Sequence, residues 1–289
     1  MAVADIITHV RRLVQDEPFQ DQLSASYTAA ALTVSVDNPT AWEFGDIMDF
    51  PEVNASGSYE QMRVFEQNIT ANSIDVQIGH NNTTNQNHAD NAIVLKNPRY
   101  GTDQITKAIT HVVDTWLWPD LFVVTSTSIT PTPTTSRIYD APSDFLDVIS
   151  YRRGLVQAAT GSIEDLVYST YEIVDTVPTT ISASNRAVRV THWQRIDVAA
   201  TFFYKAKMTT TNMTSADEPI IAYGVASQLL ADEIQEKSDR FDEDDRTGRM
   251  LRNLRDERLR QYKEKVRRRR QHLLKQWGPP ERTFRHARA

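Results

Sequence analysis

The chain is 289 residues long, 40% hydrophobic and 24% charged, with a formal net charge of −6, a composition that excludes wholesale disorder and points to a folded protein. It contains no cysteine, which excludes a disulfide framework and a thiolate zinc site and fits a reducing compartment. MAVADIITHV carries no basic leader before an apolar run, and no apolar stretch of about 18 residues follows. A soluble, intracellularly made protein is therefore expected, whose sequons at Asn54, Asn68, Asn82 and Asn212 meet no glycosylation machinery.

In ADIITHVRRLVQDEP, residues Ile6, Val10, Leu13 and Val14 recur at helical spacing and Pro18 stops the pattern, predicting a helix over about 3–16. From Ser24 the texture turns strand-like, with runs such as ITANSIDVQIG and AIVLKN punctuated by Asn, Asp, Pro and Gly, so an antiparallel β-unit is predicted over about 24–97. NPRYGTDQITKAITHVVDTWLWPD restores the helical period over about 102–118, with Thr102 as N-cap and Ile105, Ile109, Val112 and Trp116 on one face.

Thr, Val and Ile then dominate to about residue 213, predicting a second β-unit over 121–213. Within it, the alternation of Phe203 with Lys205 and Lys207 fits a strand with one wet face better than a base-stacking platform. EPIIAYGVASQLLADEIQEK predicts a third helix over about 218–240 through Ile221, Val225 and Leu229. After FDEDDRTG breaks the pattern, a basic helix runs from about Arg246 to Trp277, roughly 45 Å long.

No regular strand–helix–strand alternation appears, so the expected class is α+β: a helical bundle scaffold with two antiparallel β insertions and a long basic C-terminal helical arm. Residues 1–245 form the body and 246–289 the arm. The charge follows that division, with 16 Lys/Arg against 4 Asp/Glu in the arm, a net +12, and 16 against 34 in the body, a net −18. Such asymmetry marks an interaction arm.

Catalytic signatures are missing: there is no phosphate-binding Gly-rich loop, no H-E-x-x-H and no nucleophile elbow, so no enzyme, cofactor or metal site is expected. His80 and His88 sit in an Asn-rich stretch without further ligands and read as loop residues. DRFDEDDRTGR has the carboxylates of a calcium loop but not the spacing, because a frame begun at Glu243 puts Gly248 correctly and then Leu254 where a Glu is required. It reads as a solvated hinge.

On a helical wheel Leu251, Leu259, Tyr262, Val266, Leu273 and Trp277 share one stripe about 100° wide, with Arg255 in its middle and Arg270 at its edge. The arginines 267–270 step round the helix at about 100° each and cannot share one face. Three uses are open for the arm: a solvated helix on the protein's own body, a DNA or RNA arm, and a helix docking into another protein's groove. The apolar stripe favours the last, since a phosphate binder has no need of it.

Two stretches carry a resemblance. QNITANSIDVQIGHNNTTNQNHADNAIVLKNPRYG, through Gly79, Thr83, Thr84, His88 and Asp90, resembles the β-hairpin region of tailed-bacteriophage virion proteins. NPRYGTDQITKAITHVVDTWLWPDLF with YDAPSDFLDVISYRRG resembles phage head-to-tail adaptor (connector, head-completion) proteins, in which NPR opens a helix ending near WP and PxDFLDV opens a strand.

The resemblance covers most of residues 1–235 and leaves the arm unmatched. It implies a structural virion protein at the head–tail junction, assembled in the host cytoplasm as a ring, commonly a dodecamer, beneath the portal protein. The C-terminal arm would dock into the portal and the other face would receive tail or neck proteins, with genomic DNA passing through the channel and no membrane involved. The residues expected to dock are Leu259, Tyr262, Val266, Leu273 and Trp277, with Arg255, Arg258, Arg267 and Arg270 as electrostatic partners. The alternatives are a DNA-binding virion protein using the basic tail, and a tail or baseplate component.

Overall fold

The computed structural model describes residues 3–29, 31–51, 59–117, 120–129, 138–140, 145–148, 154–158, 163–166, 171–175, 186–190, 200–237 and 246–277. The chain divides into two compact units, residues 1–116 with 213–265, and residues 117–212 with 266–289.

In the first unit, α1 (Val3–Val14) buries Ile6, Ile7, Val10, Leu13 and Val14, with Asp5 in its first turn and Arg11 and Arg12 in its last, the charge order that suits a helix dipole. It ends where Gln15 takes a left-handed φ of 59° and Asp16 N donates back to Arg11 O at 2.9 Å. The β1 strand (Phe19–Gln22) follows directly, then β2 (Thr33–Ser35), β3 (Ile47–Phe50), β4 (Glu60–Asn68), β5 (Ser73–Gln77) and β6 (Ile93–Lys96).

These six form one antiparallel sheet in the order β1-β6-β3-β4-β5-β2. The sheet curls until its two end strands touch: Leu23 and Val36 form an antiparallel bridge, with Ser24 N on Ser35 O at 3.1 Å and Asp37 N on Gln22 O at 2.9 Å. Inside the curl lie Leu23, Val34, Val36, Trp42, Met48, Phe50, Met62, Val64, Ile74 and Val94. The Trp42 indole N–H stays satisfied by donating to Asp21 Oδ2 at 2.8 Å.

This architecture corrects the expected fold class. The described chain is mostly a curled six-stranded antiparallel sheet accompanied by four helices, and no helical bundle scaffold with two small β insertions is formed. The physical reason is that the sheet encloses its own apolar core, so it is a structural centre in its own right. Its first strand, Phe19–Gln22, lies outside the predicted β-unit because its one buried residue is Asp21 and Phe19, Gln20 and Gln22 are exposed, which gives no apolar alternation.

The hairpin expectation is corrected as well. β5 pairs with β4 and β2, while β6 pairs with β1 and β3, so the Asn-rich segment between β5 and β6 is a crossing connection. It is held midway by an antiparallel bridge between Tyr27 and His88.

The helices α2 (Thr102–His111), continuing as a π-helical turn Val112–Trp116, and α3 (Glu218–Glu236) complete this unit together with α4 (Arg246–Trp277) as far as Lys265. α1 and α2 both pack on α3. Accordingly, α3 is buried nearly all round, through Ile220, Ile221, Ala222, Val225, Ala226, Leu229 and Leu230, the pattern of a central helix. Thr102 is the first helical residue and Gly101 the N-cap, one position earlier than the sequence suggests.

In the second unit, β7 (Phe122–Ile129), β8 (Ile138–Asp140), β9 (Phe145–Val148), β10 (Gly154–Ala158), β11 (Ile163–Leu166), β12 (Tyr171–Asp175), β13 (Arg186–Val190) and β14 (Ala200–Lys207) build two sheets. One has the order β11-β10-β14-β7, with β9 also on β14; the other is β12-β13-β8. Tyr204, Lys205 and Ala206 of β14 are all buried, and the Lys205 ammonium lies 5.0 Å from the centroid of Phe122. Both faces are covered there, so Lys205 does not lie on a wet face.

Candidate functional site

The segment NPRYGT, singled out for its resemblance, forms a polar junction between α1, α2, α3 and the curled sheet. Arg11 of α1 reaches Asp16 Oδ2 at 2.6 Å, Asp49 Oδ2 at 3.3 Å, Tyr100 O at 3.0 Å and Thr102 Oγ1 at 3.0 Å. Asp49, in β3, is wholly buried and also accepts from Gln61 Nε2 at 2.7 Å and from the Thr102 hydroxyl. Burial pushes the Asp49 carboxyl up, and the donors Thr102 and Gln61 with the Arg11 charge counter only part of that rise.

The neighbouring Arg99 donates to Glu233 Oε2 of α3 at 2.6 and 3.0 Å and to Val14 O at 3.2 Å. Tyr100 OH donates to the same Glu233 oxygen, and Lys237 holds the other at 2.6 Å. Burial alone would raise the Glu233 carboxyl, but the bonds from Lys237, Tyr100 and Arg99 outweigh it and hold the group below its ordinary range. Burial and the Glu233 contact together push the Tyr100 phenol far up. A methyl at Gly101 would sit 2.3 Å from Gln61 Nε2 and would have to push that amide aside.

The Asn-rich connection is built the same way. Gly79 takes φ 68°, which glycine adopts freely, and Thr83 Oγ1 donates to His80 O at 2.8 Å while accepting from Gln61 N at 2.9 Å. His88 and Glu60, both buried, share a hydrogen bond of 3.0 Å, and the imidazole stacks on Phe50 at 3.8 Å between centroids. Burial and the Glu60 charge push the Tyr27 phenol up to about 12. His88 thus lies in the connection between β5 and β6, as expected, but with its imidazole buried against Phe50 and Glu60. Among the described residues no three His, Asp or Glu converge as a metal set.

α4 shows two different faces. Leu251, Tyr262, Val266 and Leu273 are buried within the chain itself. The Tyr262 ring meets Trp116 edge-on at 5.6 Å and lies so close to α3 that a methyl on Gly224 would sit 3.1 Å from it. Arg258 donates to Leu13 O at 3.1 Å and, with Lys265, lies over the Tyr223 ring at 5.9 and 5.1 Å.

Of the residues expected to dock, then, Tyr262, Val266 and Leu273 face inward and Arg258 is tied to α1 and α3, while Leu259 is half-buried. Arg255 pairs with Asp256 at 2.5 Å and Arg270 with Asp120 at 3.0 Å. Only Arg267 stands exposed with no polar partner among the described residues. The side chain of Trp277 and most of the acidic hinge run, residues 238–245, lie outside the described residues.

Sequence reasoning missed Arg11, Asp49, Glu60 and Glu233. One signal for Arg11 was present: it follows Val10 directly on a helix whose apolar face it borders, a place where a charge is sustained only by partners. Comparison with protein-family models gives no match for the chain, and comparison with curated proteins gives none either. No helix among the described residues is long and apolar enough to cross a membrane.

Proposed function

We propose that this chain is a non-enzymatic structural protein of a tailed-phage virion, joining the portal to the tail as a ring of copies and continuing the DNA conduit. The supporting observation is the use made of the family-like residues: Arg99, Tyr100 and Thr102 tie the helices to one another and to the sheet, Thr83 and His88 tie the Asn-rich connection to β4, and Gly79 turns it. Their role is shape, which is what an adaptor between two large assemblies requires. The net −18 of residues 1–245 suits a wall along which DNA slides, because like charge repels phosphate.

With the apolar stripe of α4 packed inside the chain, portal docking falls to the sequence after Trp277, GPPERTFRHARA, whose Phe284 supplies an apolar anchor and Arg282, Arg285 and Arg288 the charge. Removing the whole of α4 would also strip Tyr262 from Trp116 and Arg258 from Leu13, and so would test folding as well as docking. The better test is negative-stain microscopy of the full chain, alone and with purified portal, beside a chain ending at Trp277. Rings that bind portal only with the final segment are expected. A monomer that ignores portal at every concentration would sink the reading, and portal binding by the shortened chain would move the attachment elsewhere.

A further inference from the structure

The outward face of α4 presents a polar row whose one apolar member, Leu274, is half-buried. Asn253, Asp256, Arg260, Lys263, Arg267 and Gln271 recur every three or four residues, all exposed, within an arc of about 80°, and Lys275 continues the row. Arg260, Lys263, Arg267 and Lys275 have no ion pair or hydrogen bond among the described residues, whereas the exposed acids beside them, Asp256 and Glu257, are paired with Arg255 and Arg258. From Arg260 to Lys275 the row extends about 22 Å along the helix.

We infer that this face binds the phosphate backbone of duplex DNA, independently of any portal or ring contact. A protein partner of useful affinity needs an apolar or aromatic centre shielded by a polar rim; the row offers only the half-buried Leu274 near its end, because Leu251, Tyr262, Val266 and Leu273 are buried on another side of the helix. A phosphate backbone needs only repeated cations that displace its counterions. Duplex DNA carries about one charge per 1.7 Å, so some 13 phosphates pass along 22 Å and each of the four cations finds one within reach. The helix is already fixed to the protein through Tyr262 and Arg258, so little ordering accompanies binding.

The test is fluorescence anisotropy of the full chain with a labelled mixed-sequence duplex of about 30 base pairs, titrated from about 50 to 300 mM KCl. Three proteins are compared: the unaltered chain, the quadruple variant Arg260→Gln, Lys263→Gln, Arg267→Gln and Lys275→Gln, and the chain ending at Trp277. Four phosphate contacts give an expected log–log salt slope of about −3 to −4, and the quadruple variant, checked for native circular dichroism, loses at least about tenfold in affinity at the lowest salt. The chain ending at Trp277 retains binding. The inference is overturned by absence of binding at about 50 mM salt, by equal binding of the quadruple variant, or by loss of binding on removal of the final segment alone. Sedimentation without DNA covers the remaining occupant: salt-sensitive self-association that the quadruple variant abolishes, with no DNA binding, would assign the face to a second copy of the chain.

Discussion

Arg11 and Arg267 carry the same guanidinium in opposite circumstances. Arg11 is buried and divides its donors among Asp16, Asp49, Tyr100 and Thr102, while Arg267 faces solvent from α4. A buried ion that keeps its charge does so because surrounding groups replace its water, and the arrangement then fixes those groups in turn. An exposed ion keeps its hydration and is free to exchange it for a partner. The polar junction in the first unit is therefore an element of construction, and the α4 row is a surface for use.

The sharpest way to break this contrast is to remove one partner of the buried set. Arg11→Met leaves Asp49 and Asp16 without their cation, and a loss of about 3–5 kcal/mol is expected in urea unfolding; a loss below about 1 kcal/mol would mean the junction is not a structural centre. Gly101→Ala follows, because the added methyl displaces the Gln61 amide from Asp49 and about 1–3 kcal/mol is expected to go with that bond. Tyr100→Phe deletes one donor to Glu233 and is expected to cost about 1 kcal/mol in the same measurement.

A pH series separates the two buried carboxylates. Glu233 is held below its ordinary range in the folded chain, so it contributes stability that is present above its unfolded pKa and is lost as pH falls through the folded one. Asp49 is raised and works the other way: it favours the folded state at low pH and loses that advantage as pH climbs from its unfolded towards its folded pKa. Glu233→Gln should flatten the acid limb of the stability profile, and an unchanged limb would remove Glu233 as its cause. At the small end, Arg260→Gln with Arg267→Gln should change unfolding stability by no more than about 0.5 kcal/mol; a larger loss would show that the outward row is structural after all.

The four helices were legible because their apolar positions recur within single windows: Ile6 and Val10, Ile105 and Ile109, Ile221 and Val225, and the stripe of α4. The curled sheet was less so. Its closure depends on Leu23 meeting Val36 and on β6 lying between β1 and β3, which are long-range choices that no window contains. A wheel shows the apolar positions of α4 but cannot say whose surface covers them; at Tyr262 it is Trp116 and Gly224, more than thirty residues away in sequence. Likewise, Arg99 and Glu233 are far apart in sequence and reveal themselves as a pair only in the fold.

The bridge between Leu23 and Val36 reaches beyond the architecture of one molecule. A sheet whose terminal strands turn towards each other, and are only four and three residues long, offers little template for strand addition by another chain. Two copies of the chain brought close together, at high concentration for instance, have little means of pairing edge to edge through this sheet.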